Sequence, residues 1–227
     1  LIGGMVMTHS DDDGLVLPPK LAPTQVVILP VLHKEEERAR VLEYCDKLKA
    51  EISAQTYAGR PVRVEIDKRD LRGGEKMWSW VKKGVPVRVE VGPRDVAQDA
   101  VFMARRDDAS KKSVARSEFV ATIADTLENI QTGLFQKAKK YRDDNTVEIK
   151  SKEDFYEFFT PKNAKKPEIL GGFAVAYYDG TREVEEMLKN DLKVTVRCIP
   201  LEGSDNKGTC IFTNKPNATK AIFAKSY

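Results

Sequence analysis

Residues 26–31 read Val-Val-Ile-Leu-Pro-Val, an uninterrupted apolar run near the start of the chain. Runs of this kind are typical of strands that are buried on both faces of a parallel sheet. Residues 34–55 carry three glutamates at their start, where a helix dipole favours carboxylates, and then repeat apolar side chains every three or four positions. The repeat predicts a helix whose buried face carries Ala39, Leu42, Cys45, Leu48 and Ile52.

Strand-like and helix-like patterns continue to alternate up to about residue 116. An alternating strand is predicted at 62–67, a short helix holding Trp78 and Val81 follows, and further strands are predicted at 87–91 and 100–104. Strands separated by helices of this length imply right-handed crossovers and a parallel or mixed sheet. The sequence therefore predicts one α/β unit in this part of the chain.

From residue 117 the pattern becomes that of one long amphipathic helix. Its apolar stripe has steps of three and four and consists of Val120, Ile123, Leu127, Ile130 and Leu134. Two heptads are too few to argue for a coiled coil, so the stripe favours a helix that packs between two domains.

The rest of the chain predicts a smaller α+β domain. Ser151 is the expected N-cap of a short helix that buries Phe155, Phe158 and Phe159. Strand, helix and strand patterns follow at 171–178, 183–189 and 194–199, and residues 210–227 are expected to form a tail.

Composition sets wide bounds on function. A chain of 227 residues suits one large or two modest domains, and its net charge of +3 is too small to identify a nucleic-acid binder. Residues 68–116 nevertheless hold thirteen lysines and arginines. Such clusters bind phosphate backbones through counterion release, although a solvated surface is an equally good interpretation. No run approaches the roughly 20 apolar residues that span a bilayer, and no leader is evident, so a cytoplasmic location is expected.

Residues that would support autonomous catalysis are scarce. His9 and His33 are the only histidines, which argues against a nucleophilic triad, and Gly73-Gly74 is interpreted as a turn instead of a nucleotide loop. Three separated cysteines are expected to remain free thiols. The chain by itself is therefore expected to be inactive.

Three stretches resemble prolyl-tRNA synthetases of the archaeal and eukaryotic type. Residues 9–23, His-Ser-Asp-Asp-Asp-Gly-Leu-Val-Leu-Pro-Pro-Lys-Leu-Ala-Pro, resemble the third class II signature. Residues 84–95, Gly-Val-Pro-Val-Arg-Val-Glu-Val-Gly-Pro-Arg-Asp, look like the heart of the anticodon-binding domain. Residues 221–227, Ala-Ile-Phe-Ala-Lys-Ser-Tyr, look like the end of a C-terminal extension.

The resemblance implies three parts: the end of the catalytic domain at 1–23, an anticodon-binding domain at 24–116, and a C-terminal extension domain at 117–227. The class II anticodon-binding fold is a mixed five-stranded sheet flanked by helices, and the extension is a smaller α+β domain. The intact enzyme would activate proline with ATP and Mg²⁺ and transfer it to proline tRNA. It would be a homodimer, whereas this chain, lacking most of the catalytic core, is expected to be monomeric and to read the anticodon.

The resemblance also assigns roles near the two ends of the sequence. Thr8 and His9 would line the ATP or adenylate pocket, with Met7 and Thr8 on a strand. The terminal carboxylate of Tyr227 would fold back toward the active site.

Many relatives bind zinc in this extension through two pairs of cysteines. Here the second pair would fall on Cys210 and Thr213, and the first pair would fall near Tyr178 and Glu183. A lone thiolate supplies one of the four ligands that a structural zinc site needs. A zinc-less version of the domain is therefore predicted, with a core formed by Phe173, Tyr177, Val196 and Ile199.

Anticodon recognition can be argued from base chemistry. Proline anticodons share two guanines, whose N1–H and N2–H groups suit a carboxylate and whose O6 and N7 atoms suit an arginine. Glu90, Arg94, Arg106 and Asp107 are expected to lie side by side at neighbouring strand ends, with Arg88 as a further RNA contact. A surface ion-pair cluster is the alternative interpretation.

A rival function is a free-standing module with the anticodon-binding fold that binds RNA or protein in a regulatory role. A threonyl or histidyl synthetase, which would share that fold, is disfavoured by the opening run and the terminal tyrosine.

Overall fold

A computed structural model describes residues 1–32, 35–161, 172–203 and 206–226. The chain divides into two compact units, Leu1–Ala138 and Lys139–Tyr227. Among the helices described, none combines the length and the apolar composition that crossing a bilayer requires.

The first unit contains most of the helices and strands. Its elements, in chain order, are α1 (Ile2–Thr8), β1 (Ser10–Asp11), β2 (Gly14–Leu15), β3 (Val26–Pro30), α2 (Glu35–Ser53), β4 (Thr56–Tyr57), β5 (Arg60–Pro61), β6 (Val64–Ile66), α3 (Gly73–Lys82), β7 (Val87–Val91), α4 (Pro93–Ala97), β8 (Ala100–Arg105), β9 (Lys111–Ala115) and α5 (Arg116–Asp144).

The central sheet of the first unit has five strands in the order β6-β3-β7-β8-β9. β3 pairs in parallel with both β6 and β7, whereas β8 is antiparallel to β7 and to β9. The predicted mixed five-stranded sheet flanked by helices is thus confirmed.

Side chains alternate between the two faces of this sheet, as the pleat of a strand requires. Val26 and Ile28 pack with α2 and α5 in the larger core cluster, whereas Val27 and Leu29 pack with Trp80 of α3. Every residue of β3 is buried, as its apolar run predicts.

The predicted buried face of α2 was wrong in one detail. The buried stripe of α2 is formed by Val41, Cys45, Leu48 and Ile52, which have steps of four, three and four. Ala39 lies about half a turn from Val41 on the exposed side. In α3 the buried aromatic residue is Trp80, and Trp78 points to solvent.

The start of the chain is helical, so the strand expected to carry Met7 and Thr8 was wrong. Met5 N donates to Leu1 O at 2.9 Å and His9 N donates to Met5 O at 2.8 Å. No strand among the described residues pairs with this segment. Its backbone amides need hydrogen-bond partners, and helical carbonyls supply them. The β1–β2 hairpin that follows packs on the C-terminal end of α3.

Two glycines permit that hairpin contact. A Cβ on Gly14 would lie 2.6 Å from the Lys82 Cα, and a Cβ on Gly84 would lie 2.7 Å from the Leu15 backbone. Gly84 also has a φ of +72°, which disfavours any larger residue.

Helix α5 carries the predicted stripe into the core of the first unit. Ile123, Leu127, Ile130 and Leu134 are buried there together with Phe119, which takes the place expected for Val120. The first unit therefore extends to Ala138. The predicted boundary at residue 116 and the three-part division stay predictions.

The second unit is a smaller α+β structure. Its elements are β10 (Thr146–Glu148), α6 (Lys152–Phe159), β11 (Phe173–Tyr178), α7 (Arg182–Leu192), β12 (Val194–Cys198), β13 (Lys207–Gly208) and β14 (Ala218–Lys225). The strand order is β10-β11-β14-β12, and β13 pairs with β14. The segment predicted to be a tail therefore supplies an inner strand, and that prediction was wrong.

The core of the second unit lies on the opposite strand face from the one predicted. Ala174, Ala176 and Tyr178 of β11 are buried, whereas Phe173 and Tyr177 are only partly covered. Ile199 is 52% exposed, and Val196 lies at the edge of the core. The core is instead an aromatic cluster of Phe155, Phe159, Tyr178, Phe212 and Phe223. Ser151 caps α6 as predicted, accepting a hydrogen bond from Asp154 N.

Candidate functional site

A cleft of about 520 Å³ opens at the edge where the three parallel strands β3, β6 and β7 end. Its walls are residues 29–32 at the end of β3, residues 68–74 after β6, and Glu90 at the end of β7, with Arg38, Lys76 and Met77 from the helices. The carboxyl ends of parallel strands are the usual place for ligands in open α/β sheets, because connecting loops diverge there.

The charge of this cleft is predominantly positive. Five cationic side chains and two carboxylates line it: Arg38, Lys68, Arg69, Arg72, Lys76, Asp70 and Glu90. Lys68 pairs with Asp46 and Arg38 lies near Glu35 at the outer rim. The cleft is therefore suited to a ligand that is anionic overall but presents some hydrogen-bond donors.

Lys76 is a buried cation on the first turns of α3, with 6% of its surface exposed. Within the described chain its ammonium makes one hydrogen bond, from Nζ to Asp67 O at 3.3 Å, and no carboxylate there lies within ion-pair distance. An ammonium carries three donors, so this side chain keeps capacity for a further acceptor. Burial without an ionic partner is costly and points to a ligand-binding role.

Asp67, whose carbonyl binds Lys76, holds Arg69 and Trp80 in place with its carboxylate. Its carboxylate accepts from Arg69 Nε at 2.9 Å, from Arg69 Nη2 at 2.6 Å and from Trp80 Nε1 at 2.8 Å. The Arg69 guanidinium hydrogen bonds hold the pKa of Asp67 far below its usual value, although burial acts in the opposite direction. Arg69 also donates to Ser79 Oγ, so its guanidinium is held in one orientation at the cleft wall.

Glu90 and Arg88 lie on the same face of β7. Arg88 Nε is 3.5 Å from Glu90 Oε1, and within the described chain it has no hydrogen-bond partner. Arg88 is buried, whereas a third of the Glu90 side chain is exposed to the cleft. Glu90 is thus accessible to a ligand, and Arg88 supports its charge from below.

Arg94 lies just beyond the same strand end. Pro93 occupies the first turn of α4, and Asp95 Oδ2 accepts a hydrogen bond from Gly92 N at 2.8 Å. The Arg94 side chain is exposed and is not part of the cleft wall.

The expected grouping of Arg106 and Asp107 with Glu90 was wrong. β8 is antiparallel to β7 with Arg105 opposite Val87, so the end of β8 lies beside the beginning of β7. At about 3.3 Å per residue, Arg105 is roughly 10 Å along the strand from the position of Glu90.

Both of those side chains also have partners at their own edge. Arg106 forms a two-pronged ion pair with Asp11, with Nη1 2.7 Å from Oδ2, and is only 10% exposed. Asp107 accepts two hydrogen bonds from Arg105, at 3.0 and 2.7 Å. Arg106 thus fastens the β1–β2 hairpin to the sheet.

The other predicted site residues lie elsewhere. Thr8 is exposed at the end of α1, and His9 follows it, with a pKa lowered by partial burial. The His9 carbonyl accepts from Val16 N at 2.8 Å. Tyr227 lies outside the described residues.

The four expected zinc-ligand positions hold one thiol, that of Cys210, and the side chains of Tyr178 and Thr213 have other partners. Tyr178 is buried and donates its hydroxyl to Glu185 at 2.7 Å, and Thr213 donates to Asp179 at 2.8 Å. Cys210 is buried, and its amide donates to Lys215 O at 2.9 Å. Across the residues the structure describes, no three histidine, cysteine or acidic side chains gather as a metal site.

Comparisons with known proteins match both parts of the chain to known families. Residues 25–126 match the family described as anticodon binding domain, and residues 164–227 match the family described as prolyl-tRNA synthetase, C-terminal. Proline–tRNA ligase 2 of Anaeromyxobacter dehalogenans is 52% identical over the whole chain, which covers 46% of that protein. Proline–tRNA ligase of Protochlamydia amoebophila is 51% identical, with 45% of it covered.

Among solved structures, prolyl-tRNA synthetase from Cryptosporidium parvum, complexed with L-proline and AMP, matches with a TM-score of 0.81 and 32% identity. The match covers all of this chain and 46% of that one. The fold and the match over residues 25–126 define the anticodon-binding part of a class II aminoacyl-tRNA synthetase. The chain belongs to the proline–tRNA ligase family, and it spans less than half the length of the relatives it matches.

Proposed function

We propose that the first unit binds the anticodon arm of proline tRNA and that the cleft at the carboxyl edge of β3, β6 and β7 reads its guanines. The observation that carries this proposal is the presence of Glu90 and the buried Lys76 in one cleft. The carboxylate accepts the N1–H and N2–H donors of a guanine. The ammonium of Lys76 and the fixed guanidinium of Arg69 donate to O6, N7 or a flanking phosphate.

The proposed site revises the set expected from sequence. Glu90 is the direct reader, Arg88 holds its charge in place, and Arg94 contacts the RNA backbone from the rim of the same edge. Arg106 and Asp107 are excluded because their partners occupy them at the other edge.

For the intact protein we propose the activity of the family. The intact enzyme activates proline with ATP and Mg²⁺, transfers it to proline tRNA in the cytoplasm, and is a homodimer through its catalytic domain. Thr8 and His9 would face the adenylate there, and the Tyr227 carboxylate would approach the active site. The chain considered by itself would bind tRNA without aminoacylating it.

Binding of anticodon stem–loops to the full chain tests the cleft. We expect the wild-type chain to prefer a guanine-containing loop over one with inosine, which lacks the 2-amino donor, by roughly tenfold, because bidentate base contacts contribute about 1–3 kcal/mol. Glu90→Gln should abolish that preference, whereas Glu118→Gln, an exposed control on α5, should retain it. Equal binding of the wild-type chain to guanine and inosine loops would contradict the proposal.

We further propose that the second unit folds without zinc. Asp179, which accepts from both Thr181 and Thr213 and lies 3.6 Å from Lys215, ties together the segments that a metal would otherwise join. Metal analysis of purified protein should find less than stoichiometric zinc, and a chelator should leave the unfolding temperature unchanged. One zinc per chain would contradict this proposal.

A further inference from the structure

The exposed face of α3 carries a tryptophan. Trp78 has 47% of its surface exposed, whereas Trp80, two residues on, is buried. Single exposed apolar residues are common on protein surfaces. The residues around the Trp78 indole therefore decide whether it has a binding role.

Those surroundings form an open hollow next to the cleft. Its lining consists of Arg72, Gly74, Glu75, Trp78, Ser79 and Lys82. Arg72 and Gly74 also line the cleft, so the hollow and the cleft form one continuous surface along α3.

The charges of the hollow favour an anionic partner. Within the described chain, Arg72 and Lys82 have no carboxylate within ion-pair distance, and both are exposed. The carboxylate of Glu75 accepts a hydrogen bond from Arg72 N at 3.2 Å, which ties its charge to the first turn of the helix. An aromatic face between two available cations is the arrangement that grips single-stranded nucleic acid, since bases stack on the ring and phosphates meet the cations.

We propose that Trp78 is a stacking platform for an unpaired base of the anticodon loop, next to the guanines in the cleft, with Arg72 and Lys82 contacting the phosphates on either side of that base. This inference rests on the proposed function of the cleft. It extends the RNA path from the sheet edge along α3, and it assigns Trp78 a role that tolerates any base, because every base has a stacking face.

Indole fluorescence and binding by the full chain test the platform. Adding a proline-tRNA anticodon stem–loop should quench the emission of Trp78, and Trp78→Phe should remove that quenching while Trp80 remains. Trp78→Ala should weaken binding about tenfold, in keeping with the loss of one stacked base. Trp78→Phe should stay within about threefold of wild type, and Phe135→Ala, a control at an exposed aromatic residue of α5, should bind as wild type.

Stem–loops with one abasic nucleotide identify the stacked base. At one loop position the abasic change should weaken wild-type binding but leave Trp78→Ala binding unaffected. Wild-type affinity of Trp78→Ala, with the guanine preference still dependent on Glu90, would overturn the platform and leave the cleft intact. Loss of self-association by Trp78→Ala without a change in RNA affinity would also overturn it, because the indole would then serve a protein contact. If the wild-type chain showed no guanine preference, the proposed function itself would fail.

Discussion

At the residue scale, the charged groups of the cleft show why sequence alone located only part of the site. Glu90 could be predicted because a carboxylate follows an apolar alternation at a strand end. Lys76 could not be distinguished from the other cations of residues 68–116. Its burial depends on how the chain folds around Asp67, which binds both Lys76 and Trp80. Burial of a charge is a tertiary property, and no spacing in the sequence reports it.

Asp67 offers a test of this network through pH. Its folded-state pKa is depressed, so its contribution to stability is fully present above its unfolded pKa of about 3.9 and is lost as the pH falls toward the folded value. Asp67→Asn should cost about 2 kcal/mol at pH 7, since Arg69 is half exposed and can turn to water.

Urea unfolding from pH 7 to pH 3 measures the difference between wild type and Asp67→Asn. We expect a constant difference down to about pH 5 that shrinks below about pH 4. A difference that grows as the solution is acidified would show that Asp67 is protonated in the native protein.

At the element scale, connection length carried information that would have corrected the predicted site. Only residues 92–99 separate β7 from β8, and a connection this short favours antiparallel neighbours. The end of β8 must then lie beside the start of β7, away from Glu90. The uninterrupted apolar run of β3 and the alternation of β7 were sufficient to predict their burial, whereas β14 was missed because its strand neighbours β11 and β12 are distant in sequence.

The observed core of the second unit predicts which substitutions destabilise it. Phe223 of β14 is fully buried against Phe155 and Tyr178, so Phe223→Ala should destabilise the unit by about 3–5 kcal/mol. Ile199→Ala, at a site expected from sequence to be core but found exposed, should change stability by less than about 0.5 kcal/mol. Hydrogen exchange of the β11 amides measures both, and a larger effect at Ile199 would restore the strand face first predicted.

At the scale of the whole molecule, the central sheet has different roles at its two ends. The strand ends at one side expose charged side chains, and the strand ends at the other side bind the N-terminal hairpin. Arg106, bound to Asp11, lies at the end that binds the hairpin, and Glu90 with Lys76 lies at the charged end. The family and fold class could be predicted from sequence because three specific stretches carry the resemblance. The different roles of the two ends of the sheet could not be predicted, because they depend on strand direction and on an ion pair between residues 95 positions apart.

Hydrogen exchange of the full chain with and without a proline-tRNA anticodon stem–loop separates the two ends of the sheet most directly. We predict that RNA slows exchange at residues 29–32, 67–77 and 88–91 and leaves residues 105–111 unchanged. Protection confined to residues 105–111, with none along the cleft, would contradict it.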